Sequence, residues 1–552
     1  MRRGLYPLAA ALLIAVAVSR VVVTYPVFNQ TWDEPAHVAT GMEWLSRGTY
    51  IYEPLHPPLA RVMVALGPYL GGLRSAGHEN AWLEGNSILH AGGRYYHNLS
   101  LARLGVLPFF ILAGIVVFLW THRLFGNVAA VVATLLFTTL PPVLAHSGIA
   151  TTDVALTGSL ALALYALWCW LEQPTTARGL GLGLAVAAAV LSKLSSLLFL
   201  PAAGIALVLC HRRSSRDAGP VHRPRNSRLT ALRVGYLSAI IAVWAGYRFS
   251  VGPLVTEADR PLETRSEVQG KHGELYRVAY DISRAPVYPA PEFFQGLSML
   301  YRKNQAGQKA YLLGEVRSDG WWYFFPVALA VKTPIPFLLL FGAGLAAVLA
   351  MERGAPRWRA LAPAAAAGAL LVVSLPSRIN IGLRHVLPMY ALMAVLAGLG
   401  AVALWRWRKP GMLGPAVAGV LIAWQVAGGI RIHPDYLAYF NELAGQHAER
   451  ILVDSDLDNG QDLRRLADTL RFLRVKDIAL AYAGSATVAA HGLPRIRWLV
   501  PHQPDTGWVA ASLWSLKLGS LDQPGYDDFA WLERYTPFAR VGSSIRLYHI
   551  AK

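Results

Sequence analysis

The chain has 552 residues, of which 54% are hydrophobic and only 15% are charged. Soluble domains carry about 25% charged residues, so this composition predicts a polytopic membrane protein and argues against a soluble enzyme. The net charge of +18 does not indicate nucleic acid binding. Much of the arginine lies in short loops between apolar segments, which is the distribution that membrane topology requires.

Two classes of site find no support in the motifs. Cys169 and Cys210 stand alone in or beside apolar segments, with no CxxC or Cys/His cluster, so neither a structural zinc site nor a disulfide framework is predicted. No Walker A or GxGxxG motif follows a strand pattern, so nucleotide binding is not predicted either.

Apolar segments of membrane-spanning length recur along the chain, since a helix needs about 20 apolar residues to cross a bilayer. The N-terminus has a basic start and a short apolar core like a signal peptide, but apolar character resumes after Arg20, which favours an uncleaved first span. Eleven spans are predicted: 5–27, 103–122, 127–146, 153–171, 178–194, 195–210, 231–249, 323–350, 359–376, 385–405 and 411–430.

The basic residues predict the orientation of these spans. With Arg2 and Arg3 inside, the loops that hold Arg123 and Arg178 and the basic runs at 211–228, 352–359 and 406–409 are expected to face the cytoplasm. A break between two spans is predicted at Ser192–Ser196. If a single helix crossed the membrane there, every later loop would lie on the opposite side. The outer segments are then 28–102, 147–152, 251–322, 377–384 and 431–552.

The last segment, 431–552, has no apolar run long enough to cross a membrane. Residues 449–456 (ERILVDSD) and 477–483 (DIALAYA) are predicted as strands, and the apolar spacing over 460–475 predicts a helix. We therefore predict a small soluble α/β domain outside the membrane. The run Asp454–Asp458 resembles the start of a calcium loop but lacks the later glutamate, which favours a strand end and a turn.

Charged residues collect at the outer boundary of the predicted spans. Charges at membrane depth usually face a cavity and act there. Asp33 and Glu34 open the first outer loop in TWDEPAH, and Asp153 begins a later span, although a helix N-cap is the alternative for each. The cations at or near the same level are His56, Arg61, Lys193, Lys332, Arg378, Arg384 and His385.

These motifs and their order resemble the GT-C glycosyltransferases related to protein O-mannosyltransferases and aminoarabinose transferases, glycosyltransferase family 39. The Asp-Glu pair of the first loop lies at Asp33-Glu34, and the HPPL motif of the mannosyltransferases lies at His56–Leu59. The helix-end aspartate is Asp153, and the lysine between short spans is Lys193. The segments WWYFFPV and RHVLPMY also fit. The resemblance covers roughly residues 1–430 and implies a GT-C transmembrane domain there.

The resemblance implies transfer of a hexosyl or pentosyl group from a polyprenyl-phosphate donor to an extracytoplasmic acceptor, namely a protein, a lipid or an envelope glycan. The reaction would be an inverting displacement, with Asp33 as general base and Glu34 orienting the acceptor or Asp33. Arg384 is the first choice for the leaving phosphate, because its planar fork matches phosphate oxygens. The other candidates for the phosphate are Lys193, His56, His385 and Lys332.

Asp153, Arg61 and Arg378 are expected to bind substrate or to support the site. No cofactor is assigned, and a divalent metal is left open because the loop has Asp-Glu where many other glycosyltransferases have Asp-x-Asp. The enzyme is expected in the inner (cytoplasmic) membrane, with its site and residues 431–552 on the extracytoplasmic side. The alternatives are a polytopic transporter or lipid flippase, whose charges would favour the bilayer midplane, and a non-catalytic scaffold whose tail binds envelope partners.

Overall fold

The computed structural model describes residues 4–217, 225–254, 287–407, 412–519 and 527–551. Parts of the predicted loops 211–228 and 251–322 lie outside these ranges. Within them the chain forms these helices: α1 Leu5–Val22, α2 Glu34–Arg47, α3 Pro58–Leu70, α4 Ala81–His90, α5 Tyr95–Leu104, α6 Leu107–Phe125, α7 Asn127–Thr138, α8 Pro141–Ser147, α9 Asp153–Glu172, α10 Thr176–Ser192, α11 Ser196–Asp217, α12 Arg225–Gly246, α13 Pro291–Ala306, α14 Phe324–Lys332, α15 Ile335–Leu349, α16 Ala355–Ser374, α17 Met389–Arg406, α18 Leu413–Arg431, α19 Leu463–Phe472 and α20 Leu513–Leu518.

The apolar helices confirm a multi-pass membrane protein. Among the described residues, seven helices are long and apolar enough to cross a membrane, or up to nine if two bent pairs each form one span. The bent pairs are α7 with α8, at 63°, and α14 with α15, at 108°. The predicted spans 178–194 and 359–376 coincide with α10, which has 17 residues, and with α16, and neither meets the same criterion. Eleven spans therefore remain a prediction.

The break predicted at Ser192–Ser196 is present. Helix α10 ends at Ser192 and α11 begins at Ser196, and the backbone of Lys193 between them is extended (φ −161°, ψ 136°). The interruption releases Lys193 from both helices. Its ammonium then reaches Asp153, the first residue of α9.

Helices α2, α3 and α4 fold the first outer loop into a compact layer. Gly41 of α2 lies against α3, where a Cβ atom would overlap the carbonyl oxygen of Arg61. Gly85 of α4 lies in the same way against the carbonyl of Pro35. Only glycine leaves room for these two backbone contacts. Together they hold α2 in place, and Asp33 directly precedes that helix.

A five-stranded mixed sheet follows α18. Its strands are β5 Asp477–Ala481, β6 Arg495–Trp498, β7 Gly507–Ser512, β8 Ala539–Val541 and β9 Ile545–Ile550. The order is β6-β5-β7-β9-β8, with β5 parallel to β6 and β7, and β9 antiparallel to β7 and β8. In this register Ala479 lies opposite Val509. The amphipathic helix α19 packs its leucines, Leu463 among them, on this sheet beside Ile478.

The strand predicted at 449–456 is wrong. Residues Ala448–Arg450 and Asp454–Asp456 form short 3-10 turns instead. Short acidic side chains compete with strand pairing because they bind nearby backbone donors. The carboxylate of Asp456 accepts the backbone N–H of Leu383 at 3.0 Å, so the turn is tied to the membrane region rather than to a sheet.

Residues before 431 pack together with the tail. The outer loop before α14 contributes a hairpin of β3 (Ala310–Leu312) and β4 (Glu315–Arg317), and an isolated pair, β1 (Val251–Gly252) with β2 (Tyr288–Pro289), lies upstream. Tyr311 of β3 is buried in the same core as Val509 of the tail sheet. A separate domain at 431–552 therefore stays a prediction, and the hairpin packs as part of the same body.

The orientation in the membrane can be tested by thiol labelling. In a chain with Cys169→Ala and Cys210→Ala, we expect Ser215→Cys to be protected from a membrane-impermeant reagent in intact cells and Gln503→Cys to react, since the basic run at 211–228 is predicted inside. Both side chains are exposed, so both should react in permeabilised cells. Labelling of only the Ser215→Cys chain in intact cells would reverse the orientation.

Candidate active site

A cavity of about 720 Å³ lies where the first outer loop, the starts of α9 and α11, the segment before α17 and the tail meet. Six of the ten residues predicted for the site line it. They are Asp33, His56, Asp153, Lys193, Arg384 and His385. The sequence had placed these residues at one level of the membrane, and the structure brings their side chains to one space.

Asp33 is paired with Arg384. Although Asp33 precedes α2, its side chain makes no capping hydrogen bond, and Nη1 of Arg384 donates to its Oδ2 at 2.7 Å. The helix-cap alternative therefore does not describe this carboxylate. Burial opposes ionisation, but the charge of Arg384, assisted by His37, outweighs it and holds the pKa of Asp33 below its usual range. The carboxyl is ionised at neutral pH and can accept a proton.

Asp153 extends this pair into a chain of alternating charges. Lys193 Nζ donates to Asp153 Oδ1 at 2.6 Å, and Arg384 Nη1 lies 4.0 Å from the other carboxylate oxygen. The side chains of Asp153 and Lys193 are only 2% and 10% exposed. Charges this buried persist only when they are paired. The order Asp33, Arg384, Asp153, Lys193 meets that condition.

Several polar atoms around this chain have no hydrogen-bond partner among the described residues. They are Arg384 Nε, His385 Nε2, His56 Nδ1 and Ser195 Oγ. Buried polar atoms are normally hydrogen-bonded, so unpaired donors beside a cavity mark a position for a ligand's acceptor atoms. Burial, and after it Lys193, lowers the pKa of His56 to about 3. His56 is therefore neutral, and it can offer a hydrogen bond but not the fixed positive charge that was predicted.

Glu34 is not at the cavity, although it was predicted as catalytic. It is fully buried and pairs with Arg103 through both carboxylate oxygens, at 2.8 and 2.9 Å. Its oxygens also accept the backbone N–H groups of Thr31 and Ala150, at 2.7 and 2.8 Å. These contacts fasten the loop that carries Asp33 to the approach of α9, which is a supporting position.

Removing this carboxylate is expected to destabilise the protein. Glu34→Ala leaves Arg103 buried without a counter-ion, which typically costs about 3–5 kcal/mol of unfolding free energy. Thermal unfolding in detergent measures the loss. The control is Glu315→Ala, whose exposed pair with Arg317 should contribute about 1 kcal/mol or less. A Glu34→Ala protein of normal stability and without transfer activity would instead support the catalytic prediction.

Lys332 also lies away from the cavity lining. Its ammonium donates to the backbone oxygens of Leu437, at 2.7 Å, and Asp456, at 2.5 Å. The carboxylate of the same Asp456 binds Leu383, so one turn of the tail is tied to both α14 and the segment before α17. In this arrangement the lysine connects the bundle to the tail, and its contact with a phosphate stays a prediction.

Arg61 and Arg378 support the site from outside its lining. Arg61 forms an ion pair with Glu53, and its Nε donates to Nδ1 of His37 at 3.0 Å. His37 lines the cavity, so Arg61 fixes the orientation of that ring. Arg378 donates to the backbone oxygen of Gln305 at 3.2 Å and joins the approach of α17 to the end of α13.

The tail was one of three segments that the sequence suggested could shape the acceptor's groove, together with the first outer loop and residues 301–315. Asp454, Asp458, Asn459 and Trp514 line the cavity. The backbone N–H of Trp32 donates to the backbone oxygen of Asn459 at 3.1 Å. This bond holds the tail against the residue before Asp33. Among these tail residues, only the run Asp454–Asp458 had been singled out in the sequence, and it had been interpreted as a turn.

The one group of three or more acidic or histidine side chains close enough to share a metal ion, among the described residues, is His502, Asp527 and Asp528. These residues do not line the cavity. No residue is therefore assigned to a divalent metal, and the expectation from the sequence is unchanged.

Known proteins resemble this chain in part of its sequence and in its fold. The family model described as dolichyl-phosphate-mannose-protein mannosyltransferase matches residues 98–221. The S. cerevisiae protein O-mannosyltransferase Pmt1-Pmt2 complex bound to the sugar donor is 12% identical, with a TM-score of 0.54 over 78% of this chain and 90% of that chain. ArnT from Cupriavidus metallidurans in the apo state is 13% identical, with a TM-score of 0.50 over 97% of both chains.

No curated protein sequence matches the chain significantly. The family match and the fold likenesses confirm the predicted resemblance to GT-C glycosyltransferases of the protein O-mannosyltransferase type. At these identities the structures show the fold, and the chemistry of this chain has to be argued from its own residues.

Proposed function

We propose that this membrane protein is a glycosyltransferase that moves a sugar from a polyprenyl-phosphate carrier to an acceptor hydroxyl on the extracytoplasmic side. The supporting observation is the chain of alternating charges Asp33, Arg384, Asp153 and Lys193 along one cavity. An inverting displacement needs a carboxylate for the acceptor proton and fixed cations for the leaving phosphate. The matched family model, whose name includes a lipid-phosphate sugar, agrees with this class of donor.

The reaction follows from these positions. The acceptor oxygen forms a bond to the anomeric carbon while its proton passes to the carboxylate of Asp33. The bond from that carbon to the phosphate oxygen breaks, and its electron pair stays with the phosphate. Arg384 and Lys193 would stabilise the added negative charge, and ring N–H groups of His56 and His385, which line the same cavity, would bind the remaining phosphate oxygens.

We propose that the carrier's prenyl chain lies beside the cavity. Leu198 and Leu297 line the cavity and are 61% and 40% exposed, on α11 and α13. An apolar opening beside a cluster of cations suits a lipid whose phosphate lies at the interface and whose tail stays in the bilayer.

Transfer of label from a lipid-linked sugar tests the proposal. Purified protein in nanodiscs is mixed with radiolabelled undecaprenyl-phosphate sugars and with an acceptor membrane fraction, and label in the acceptor is measured. We expect transfer by the wild type and its loss in Asp33→Asn. The transporter or flippase alternative predicts movement of lipid across a sealed bilayer and no label in the acceptor with either protein.

A further inference from the structure

One wall of the cavity belongs to the tail and has no role in the reaction described above. Its polar and aromatic members are Asp454, Asp458, Asn459 and Trp514, and Ala483 completes it. Asp458 is committed to structure, since its oxygens accept the backbone N–H groups of Trp514 at 2.7 Å and Gly460 at 3.1 Å. The other three side chains are a carboxyl, an amide and an indole, which together suit a ligand with hydroxyl groups and an apolar face.

Asp454 is held in an uncommon backbone conformation. Its φ is +41°, in the left-handed region that residues other than glycine rarely adopt, and such residues cluster at functional sites. One oxygen accepts the N–H of Ser455 at 2.6 Å, and the other makes a long contact of 3.4 Å with Nε1 of Trp514. A carboxylate accepts about four hydrogen bonds, so Asp454 retains acceptor capacity toward the cavity.

The charge state of Asp454 suits a hydroxyl partner. Burial raises the pKa of its carboxyl to about 7, against the opposing effect of Arg384. Near neutral pH the group is present both as carboxylate and as carboxylic acid, so it can accept or donate a hydrogen bond. Sugar hydroxyls also do both.

Trp514 supplies the apolar part of the same wall. Its backbone is anchored by Asp458, and its partly buried indole remains on the cavity lining. A flat aromatic surface beside a few placed polar groups is the usual composition of a small-molecule site. A sugar ring presents C–H groups on its face and hydroxyls at its rim, and it matches both parts.

The position of Asp454 favours the donor's sugar over the acceptor as the ligand of this wall. Asp454 and Arg384 lie close enough for the charge of each to affect the other. If Arg384 holds the donor phosphate, the sugar and the prenyl chain bonded to that phosphate both lie beside it. The exposed Leu198 and Leu297 suit the prenyl chain, and the polar and aromatic wall of the tail suits the sugar, so an acceptor has to approach from Asp33.

We propose that the tail forms the subsite for the sugar ring of the donor, with Asp454 and Asn459 binding ring hydroxyls and Trp514 packing on the ring face. This inference rests on the proposed function, because it takes Arg384 as the phosphate ligand. It makes the tail the part of the chain that selects which lipid-linked sugar is used.

Binding of lipids with and without a sugar tests the subsite. The probes are undecaprenyl phosphate and the same lipid carrying mannose, glucose, N-acetylglucosamine or arabinose, titrated into the full chain in nanodiscs. Asp454→Gly removes the side chain without backbone strain, and Asp454→Asn keeps its shape and part of its hydrogen bonding. The matched control is Arg474→Gly, at another residue with positive φ (+55°) that does not line the cavity. Thermal unfolding shows that each variant is folded.

We expect the wild type to bind at least one glycosylated lipid more tightly than the bare lipid. Asp454→Gly and Trp514→Leu should weaken binding of that glycosylated lipid about tenfold, the effect of one well-placed contact, and should not weaken binding of the bare lipid. Asp454→Asn should recover part of the loss, and Arg474→Gly should behave as the wild type. Arg384→Ala should weaken both lipids.

Other results would overturn the subsite. Equal weakening of both lipids, or no weakening of either, removes the sugar contact. Unchanged donor binding with a raised KM for the acceptor assigns the wall to the acceptor instead. A wild type that binds the bare lipid and gains nothing from any sugar also excludes the subsite, whereas a wild type that binds no polyprenyl phosphate refutes the proposed function itself.

Discussion

Replacing Asp33 with asparagine is expected to lower sugar transfer by about 10²–10⁴-fold, the usual contribution of a general base. The amide keeps the shape of the side chain and a hydrogen-bond acceptor for Arg384, but it cannot take the acceptor proton. Binding of the lipid donor should persist, since Arg384 loses a competing counter-ion and stays in the cavity. Single-turnover transfer, measured together with donor affinity, separates the two effects.

The comparison for this variant is Asp468→Asn, which changes an exposed carboxylate paired with Arg471 on α19. It should transfer sugar at the wild-type rate. If Asp33→Asn also turned over normally, Asp33 would not be the base, and Asp153 would become the next candidate.

The second large effect is expected at Arg384. Arg384→Ala should weaken donor binding and lower transfer about 10²–10³-fold, as removal of a preorganised donor to a developing anion does. It also leaves Asp33 and Asp153 without the cation that lies between them. Arg384→Lys keeps a charge but not the planar two-point contact, so its transfer rate should lie between those of alanine and the wild type.

An arginine that only anchors the protein at the lipid interface would behave differently. Such a residue extends toward headgroups, whereas the Arg384 side chain is only 11% exposed and reaches Asp33. Arg317→Ala, at an exposed pair, is the control and should retain normal donor affinity. Normal affinity and turnover in Arg384→Ala would transfer the phosphate role to Lys193.

Much of the fold followed from local sequence. An apolar run of membrane length has few alternatives to a helix, and Lys193 with its flanking serines marked a true break between α10 and α11. The amphipathic pattern that gave α19 and the apolar run that gave β5 were equally direct. The strand predicted at 449–456 failed because apolar content there was outweighed by aspartates that bind backbone N–H groups.

The site was predictable only in part. Asp33, Asp153, Lys193 and Arg384 each stand at the end of an apolar segment, so topology alone brought them to one level. A charge within an apolar run shows that a partner exists but does not identify it. The structure gives Lys332 two backbone carbonyl partners and Glu34 an ion pair with Arg103, and neither partner was predicted. The phosphate role of Lys332 and the role of Glu34 in orienting the acceptor or Asp33 stay predictions.

The tail residues were beyond sequence reasoning for a different reason. Asp454 and Trp514 line the cavity only because the chain returns to its own beginning. No periodicity or short motif encodes contacts between segments so far apart. Their position was visible only once the folded arrangement was known.

The contact between the tail and the start of the chain also determines when, during synthesis, the cavity becomes complete. The side chain of Asn29 donates to the oxygen of Gly460, 431 residues further along, and accepts the N–H of Leu463. A ribosome has therefore made most of the protein before these bonds can form. Until then the growing chain carries Asp33 and Arg384 in a half-built cavity that lacks the wall from the tail. By the role proposed for the tail, a product interrupted before Asp454 would carry the charged residues of the site without the wall that selects the sugar.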